Sequence, residues 1–253
     1  MLTCDVRDGI GRVVLDRPDK LNAMPRSLWT ELPEVMAAMS ADSDVRVVIF
    51  TGAGRCFSVG GDITGFADLT QTQMADRRAY AAEAMAAFQS VEDLPKPTIA
   101  AVHGHALGGG CELTIVCDIV VADETAQFAL PESSIGLVPG PGIVRGSAHL
   151  SLHWMKYLVL TGLPLDAEQA RLAGLVNFVV PAGQHLAEAE RLGSVMTRRA
   201  PLALAAGKRY LGRTSRDGYD HAVEMLAMLQ SSTDLAEGVA AFAERRDPEF
   251  KGS

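Results

Sequence analysis

The pattern of apolar and polar positions divides the chain into a mixed α/β part and a later, mostly helical part. Strands are predicted where apolar residues alternate or run continuously with β-branched side chains, at residues 10–16, 45–50, 98–102 and 118–122. Helices are predicted where the spacing and composition favour them, at residues 27–39, 74–91 and 111–117. This order of elements indicates an α/β fold.

Helical periodicity dominates after residue 151. Helices are predicted at residues 154–160, 166–172, 184–199, 202–211 and 217–246, with one short strand at 176–180. No linker is long enough to separate independent domains. We therefore place one boundary at residue 195, between a core at 1–195 and a helical region at 196–253.

Two segments conflict with regular elements. Pro33 lies inside the helical pattern at 27–39, and proline lacks the backbone N–H and clashes with the carbonyl one turn earlier. Either a turn precedes a helix that begins near Pro33, or the helix kinks there. Residues 136–142 are too rich in glycine and proline to predict regular structure.

Composition and charge narrow the class of protein. The chain has 253 residues, 48% hydrophobic and 21% charged, which suits one large domain with a sizeable core. Its net charge of −8, without any basic block, argues against nucleic acid or an anionic membrane as the main partner. No apolar run approaches the ~18 residues of a membrane span, and the first eight residues lack the pattern of a signal peptide. The expected compartment is therefore the cytoplasm.

The four cysteines, Cys4, Cys56, Cys111 and Cys117, form no CxxC pair and have no histidine at metal-ligand spacing. No metal site is expected from them. Cys111 and Cys117 are interpreted as small buried residues on one short helix, since burial is the usual fate of free cysteine.

Two glycine-rich turns follow predicted strands. The first contains Gly60-Gly61-Asp62, and the second contains Gly108-Gly109-Gly110 just before a helical stretch with Glu112 near its start. Glycines let a ligand approach the backbone, and the first N–H groups of a helix lack internal partners. The alternative is that each turn simply permits close packing.

If the two turns meet in space, each could direct one N–H at the same oxygen, which is the geometry of an oxyanion hole. Glu112, together with Glu132 after Pro131, would then supply a general acid and a general base. Two adjacent carboxylates raise the pKa of one of them, because like charges resist joint ionisation. The alternative for Glu132 is an exposed loop acid.

A dinucleotide-binding fingerprint is the rival interpretation of the second turn. Gly104-x-Ala106-x-x-Gly109 follows a strand and opens a helix, and Asp123 ends the next strand. Ala106 replaces the glycine that would face the pyrophosphate, however, and the βαβ alternation does not continue after residue 130.

Six segments, taken in order, resemble the enoyl-CoA hydratase/isomerase (crotonase) superfamily. The second glycine turn, residues 99–113, is similar to the signature of that family. The other matching segments are residues 17–23, 56–63, 128–132 with 136–140, 160–162 with 173–177, and 237–242. The resemblance implies a spiral of ββα units followed by a C-terminal helical trimerisation region, with self-association as a trimer or as a hexamer of two trimers.

The resemblance also implies a set of site residues. The N–H groups of Gly61 and Gly109 would hold the thioester oxygen of an acyl-CoA, with Glu112 and Glu132 as the catalytic acids. The implied substrate-binding residues are Lys20, Leu21, Ala23, Asp62, Ile63, Gly140 and Arg245, the last reaching a neighbouring subunit's CoA. Asp62 has a second interpretation, in which it braces its own turn. No separate cofactor is expected, because coenzyme A is part of the substrate.

Both glutamates together favour hydration of a 2-enoyl-CoA. The alternatives are an enoyl-CoA isomerase that uses Glu132 alone and a non-catalytic subunit that binds CoA thioesters. The chain departs from the family pattern at three positions: Gly61 replaces the commoner alanine, Thr64 stands where lysine is frequent, and Pro141 interrupts a glycine-rich loop. Pro141 removes a donor and fixes φ, which leaves the shape of the acyl pocket open.

Overall fold

The computed structural model describes residues 1–65, 72–212, 223–224, 226–246 and 248–249. Its strands are β1 Leu2–Arg7, β2 Ile10–Leu15, β3 Val47–Gly52, β4 Thr98–Val102, β5 His105–Leu107, β6 Ile119–Asp123, β7 Gln127–Ala129, β8 Leu165–Asp166 and β9 Phe178–Val180. Its α-helices are α1 Leu28–Ala41, α2 Met74–Glu92, α3 Gly109–Val116, α4 Gly140–His149, α5 Leu152–Thr161, α6 Ala167–Ala173, α7 His185–Met196, α8 Pro201–Leu211 and α9 Thr233–Glu244. Short 3-10 helices lie at Pro18–Lys20, Ile63–Gly65 and Pro131–Ile135.

A six-stranded sheet in the order β1-β2-β3-β4-β6-β9 forms the centre of the core. β1 and β2 form an antiparallel hairpin, and every later pair in this sheet is parallel. All five residues of β4 are buried, as are the first five of β3. Parallel strands covered on both faces are continuous apolar runs, which is why the sequence predicted these strands correctly.

A smaller sheet, β5-β7-β8, lies beside the larger one. Isolated parallel bridges extend the pattern, one between Met24 and Gly61 and one between Ser58 and Ala106. Each early turn of the chain therefore adds one strand to the large sheet, then a short segment at the small sheet, then a helix. This repetition confirms the α/β spiral of ββα units.

The sequence did not predict β1, β5, β7 or β8. Five of the six residues of β1 are exposed, so this edge strand lacks an apolar face. The others have only two or three residues, which is too short for periodicity to register.

Pro33 lies inside the continuous helix α1, so the prediction of a helix that begins near Pro33 is wrong. The first turn forms ahead of it, because Leu28 N–H donates to Pro25 O and Trp29 N–H donates to Arg26 O. Burial of Leu28 and four later side chains of this helix outweighs the one hydrogen bond that proline cannot make.

The prediction of irregular structure over residues 136–142 is wrong at its end, because α4 begins at Gly140. Pro139 is the N-cap and Pro141 lies in the first turn, where helix N–H groups have no internal partner. A Cβ on Gly142 would lie 2.9 Å from Pro139 Cβ, and one on Gly146 would lie 2.4 Å from Met155 Sδ. The glycines therefore permit close packing within and around a helix.

The prediction of one helix over 217–246 is also wrong. The chain is helical at 223–224 and 226–229, turns at 230–232, and forms α9 with Ser232 as its N-cap; residues 217–222 lie outside the described part of the chain. Ser232 Oγ accepts the N–H of Leu235, which favours a new helix start over continuation. The boundary at residue 195 stays a prediction.

The C-terminal helices pack on the core. Lys208 Nζ of α8 lies 2.7 Å from Asp118 Oδ2 beside β6. A Cβ on Gly238 of α9 would lie 2.6 Å from Ile135 Cα, so the helix approaches the 3-10 helix at Pro131–Ile135 closely.

No helix in the described part of the chain is both long enough and apolar enough to cross a membrane. Cys56, Cys111 and Cys117 are buried and Cys4 is exposed, and all are unpaired thiols. Among the described residues, no three His, Cys, Asp or Glu side chains are grouped as metal ligands.

Candidate active site

A cavity of about 420 Å³ lies where the two glycine turns meet α2, α3 and the start of α4. Eight of the residues that the sequence singled out line it: Ala23, Gly61, Asp62, Ile63, Gly109, Glu112, Glu132 and Gly140. They come from segments more than a hundred residues apart in sequence, which the spiral brings to one end of the sheets.

The two glycine turns are in direct contact. A Cβ on Gly60 would lie 2.9 Å from the backbone N of Gly109 and 2.5 Å from Leu107 O, and Gly60 has a φ of +87°. A Cβ on Gly109 would lie 3.6 Å from the backbone N of Gly61. Glycine is therefore needed at Gly60, because any side chain there would push the turns apart.

The N–H groups of Gly61 and Gly109 have no hydrogen-bond partner among the described residues. Met24 bonds to the groups on either side of Gly61, donating to Gly60 O and accepting from Asp62 N–H, so the N–H of Gly61 is left out of the bridge. Gly109 is the first residue of α3, where N–H groups lack internal partners and the helix dipole is positive. Both glycines line the cavity, so two backbone N–H groups without internal partners border the same space.

Glu112 is buried on α3, only 6% exposed. Burial raises the pKa of its carboxyl to about 7, and the N–H groups of Gly142 and Gly140 oppose that shift by stabilising the charged form. The N–H of Gly142 lies 3.1 Å from Glu112 Oε1. The two donors are the residues on either side of Pro141. The missing N–H of Pro141 therefore removes neither of them.

Glu132 lies in the 3-10 helix Pro131–Ile135, with its Oε2 buried and without a hydrogen-bond partner. Its Oε1 faces the second turn, since a Cβ on Gly108 would lie 3.1 Å from it. Burial and then the nearby charge of Glu112 raise the pKa of Glu132 well above its usual range. Both carboxyls therefore hold a proton to higher pH than an exposed glutamate, and only Glu112 has the two N–H donors that favour its charged form.

The raised pKa of Glu132 predicts that Glu132→Gln raises the melting temperature more at pH 8 than at pH 5. Because the folded-state pKa lies above the unfolded value of about 4.3, the folded protein loses stability as pH rises above that value. Below it the carboxyl is protonated in both states, so the cost is absent. Glutamine cannot ionise, so the variant avoids this cost. At pH 8 its melting temperature is expected to rise by a few degrees, because each kcal/mol of stability shifts the melting temperature by about 2–4 °C. Thermal unfolding at both pH values measures it, and a gain that does not grow with pH contradicts it.

Asp62 lines the cavity, and its contacts also stabilise its own turn, as its second interpretation predicts. Its carboxylate accepts the Thr64 hydroxyl at 2.6 Å and lies 3.3 Å from Arg17 Nη1. The Thr64 hydrogen bond and then the Arg17 contact lower the pKa of Asp62 against the effect of partial burial. Thr64, where the family often has lysine, thus holds the turn instead of offering a charge.

Three predicted substrate-binding residues lie outside the cavity lining: Lys20, Leu21 and Arg245. Lys20 is exposed at the end of the 3-10 helix Pro18–Lys20, and Leu21 follows it with a φ of +52°. Arg245 is exposed at the C-cap of α9, three residues after Phe242, which does line the cavity. Within a single chain Arg245 does not join the site.

Asn22 is a supporting residue that sequence reasoning did not single out. It is fully buried, and its Nδ2 donates to the carbonyls of Ala53, Cys56 and Phe57 at 2.9–3.1 Å, while its Oδ1 accepts the N–H of Arg17. Its φ of +57° is a conformation that asparagine tolerates. Asn22 thereby ties the loop before α1 to the loop that enters the first glycine turn.

Asn22→Ala is expected to lower the free energy of unfolding by roughly 2–3 kcal/mol, because buried carbonyls lose their donor. Asn177→Ala is the matched control, since Asn177 is exposed and accepts one N–H, from Val120. Denaturant unfolding of both variants measures the difference. Equal losses in the free energy of unfolding would show that the hydrogen bonds of Asn22 do not stabilise the fold more than those of an exposed asparagine.

Apolar side chains of α1 and α2 form one wall of the cavity, a role that the sequence did not predict for them. They are Trp29, Tyr80, Ala81, Ala84, Met85 and Phe88. Trp29 packs against Phe88 with ring centroids 5.7 Å apart. The same helical pattern that buries α2 thus supplies an apolar surface beside the two glutamates.

Asp123, the acid that the dinucleotide interpretation requires, has other partners in the structure. Asp123 accepts hydrogen bonds from Thr125 and from Gly183 N–H, and lies 3.2 Å from His185 Nδ1. It therefore braces the loop after β6, and it is absent from the cavity lining.

A family model described as enoyl-CoA hydratase/isomerase matches residues 5–253. The chain is 38% identical over 250 residues to the 2,3-dehydroadipyl-CoA hydratase of Escherichia coli K12, covering 95% of this chain and 94% of that protein. It is 35% identical over 258 residues to a probable enoyl-CoA hydratase of Rhizobium meliloti, covering 99% and 97%. A crystal structure of an enoyl-CoA hydratase from Mycobacterium avium subsp. paratuberculosis superposes with a TM-score of 0.87 at 29% identity, covering 99% of this chain and 98% of that one.

Proposed function

The chain belongs to the enoyl-CoA hydratase/isomerase family, and we propose that it adds water across the double bond of a 2-enoyl-CoA through Glu112 and Glu132. One observation carries this proposal: two glutamates with raised pKa values, Glu112 buried and Glu132 with a buried Oε2, share a cavity with two unpaired glycine N–H groups. Those are an acid, a base and an oxyanion hole, the parts that hydration requires.

The thioester oxygen of the substrate binds the N–H groups of Gly61 and Gly109. Attack at C3 moves negative charge onto that oxygen, so the two donors stabilise the transition state more than the ground state. Gly61, where the family commonly has alanine, supplies only its backbone N–H. The replacement therefore preserves the role.

Glu112 acts mainly on the water and Glu132 on the proton at C2. The N–H groups of Gly140 and Gly142 favour the ionised form of Glu112, which suits a general base. Glu132 has no such donors at its buried Oε2 and feels the charge of Glu112, which suits a protonated general acid.

Glu112 takes one proton from the water while the oxygen of the water bonds to C3. The electron pair of the C2–C3 double bond moves toward the thioester oxygen. The pair then returns to C2, which takes the proton of Glu132 and regenerates the thioester carbonyl. Glu112 ends protonated and Glu132 ionised, and transfer of one proton between them restores the starting state.

The coenzyme A part of the substrate lies toward Lys20, Leu21 and Ala23. Ala23 lines the cavity, and Lys20 and Leu21 precede it on the same loop, which places a cation outside the cavity mouth for a phosphate. Asp62 and Ile63 form the neighbouring wall, and Gly140 borders the water site through Glu112.

Self-association as a trimer or hexamer is part of the proposal. Large apolar side chains are exposed on α5 and α6 and in the segment between them, Leu160 at 73%, Leu163 at 53% and Leu172 at 71%. Several exposed leucines within one segment of the chain support an interface there, because contiguous apolar patches mark protein interfaces. Assembly would also be needed for Arg245 to reach a neighbouring subunit's CoA. Sedimentation equilibrium of the full chain tests this, and a monomer at micromolar concentration would contradict it.

A panel of 2-enoyl-CoA and 3-enoyl-CoA thioesters tests the proposed function. A hydratase consumes the conjugated thioester of the 2-enoyl substrates, so their absorbance falls. An isomerase instead makes that absorbance appear from the 3-enoyl substrates. Absence of both signals would favour a non-catalytic CoA-thioester binder.

A further inference from the structure

One polar side chain in the cavity wall has no role in the proposed chemistry. Gln230 is 4% exposed and lines the cavity, and its Oε1 is buried without a hydrogen-bond partner. A buried amide oxygen left unpaired is costly, and native structures rarely keep one without a reason. The amide torsion of glutamine has a broad minimum, so the group can turn either end toward a ligand.

Gln230 joins the cavity wall from the C-terminal part of the chain, directly after the helical residues 226–229. Its N–H donates to Leu226 O one helical turn earlier. Leu226 lies against the start of α4, since a Cβ on Gly140 would be 2.9 Å from Leu226 Cδ1. Gly140 in turn donates to Glu112. Contacts therefore run from Glu112 through Gly140 and Leu226 to the segment that carries Gln230.

The surroundings of Gln230 restrict the chemistry of its ligand. Leu226, one helical turn before Gln230, packs with Ala81, Met85 and Val223, so the segment that carries the amide contacts α2 through apolar side chains. Among the described residues that line the cavity there is no lysine, arginine or histidine, whereas Asp62, Glu112 and Glu132 are acids. A carboxylate on the acyl group would meet no counter-charge there, and burying an unpaired charge is far more costly than burying a hydroxyl.

We propose that the acyl group of the substrate has a neutral hydrogen-bonding group, such as a hydroxyl, beyond the reacting double bond, and that Gln230 binds it. This inference rests on the proposed hydratase function and assigns Gln230 as a specificity-determining residue. A site built to hydrogen-bond a substrate group rejects the analogue that lacks it, because the protein amide is then left unpaired.

Hydration kinetics with matched acyl chains test the proposal. The substrates are straight 2-enoyl-CoAs of about six to twelve carbons in three forms: unsubstituted, with a terminal hydroxyl, and with a terminal carboxylate. For at least one length, the wild type is expected to favour the hydroxyl form over the unsubstituted form by about tenfold or more in kcat/KM. The carboxylate form is expected to be the poorest of the three.

Gln230→Met keeps the length of the side chain and removes its hydrogen-bonding groups. It is expected to abolish the preference for the hydroxyl form while retaining hydration of the unsubstituted chain. Gln184→Met is the matched control, because Gln184 is exposed before α7, and it should leave the preference unchanged.

Three results would overturn the inference: no preference for the hydroxyl form by the wild type, a preference that survives in Gln230→Met, or a carboxylate form that is the best substrate. The wild-type comparison stands even if the Gln230 variant fails to fold. A protein that hydrates unsubstituted chains without discrimination refutes only the role of Gln230. A wild type that hydrates none of the substrates refutes the proposed function itself.

Discussion

Replacing Glu132 by glutamine is expected to abolish hydration of crotonyl-CoA while leaving binding of CoA thioesters nearly intact. Glutamine preserves the size of the side chain, so the contact with the second glycine turn at Gly108 survives. It has no acidic proton to give to C2, and general acid–base groups typically contribute 10²–10⁴-fold to rate. A loss of about that size in kcat is expected, with little change in the affinity for a CoA thioester that does not react.

The control for this variant is Glu34→Gln, an exposed position on α1 where the same chemical change should alter nothing. Absorbance of the conjugated thioester gives turnover, and calorimetric titration with a saturated acyl-CoA gives binding. Unchanged turnover in Glu132→Gln would refute the mechanism. Loss of binding in parallel with turnover would show that Glu132 holds the site together and does not transfer the proton.

The second large effect is expected at Glu112, and it separates a hydratase from an isomerase. A hydratase that lacks Glu112 loses the base that activates water, so Glu112→Ala should lose nearly all hydration, by roughly 10²–10⁴-fold. An isomerase that moves its proton through Glu132 alone should keep much of its double-bond migration in the same variant. Assays of the same Glu112→Ala preparation with 2-enoyl-CoA and with 3-enoyl-CoA substrates distinguish the hydratase from the isomerase.

Glu112→Gln is needed beside the alanine variant, because Glu112 also anchors the start of α4. Its Oε1 accepts the N–H of Gly142, and an amide oxygen can still accept it, whereas alanine leaves that donor unpaired. Equal loss of hydration in both variants supports a base. Activity that returns in Glu112→Gln would assign Glu112 an anchoring role only.

The central strands and the two glycine turns were predictable because their signals are local. Residues 45–50 and 98–102 are continuous apolar runs, which parallel strands buried on both faces require. The meeting of the turns was not predictable from the residues alone. It depends on the bridges from Met24 to Gly61 and from Ser58 to Ala106, which join segments that are far apart in sequence.

The incorrect predictions have physical causes at particular residues. Glycine and proline around 140 suggested irregular structure, yet proline is favoured in a first helical turn, and the glycines admit Pro139 and Met155 at close range. Periodicity continued through residues 230–232, where the Ser232 cap starts a new helix. Nothing local marks Asn22 or Gln230, because their importance comes from carbonyls and a cavity that other segments supply.

Isotope labelling tests the central claim, that water adds across the double bond, most directly. The wild-type protein is incubated with crotonyl-CoA in deuterium oxide enriched in the heavy oxygen isotope, and the acyl product is analysed by mass spectrometry and NMR. We predict a 3-hydroxyacyl-CoA with labelled oxygen at C3 and deuterium at C2. Deuterium exchange or double-bond migration without incorporation of the oxygen would contradict the account.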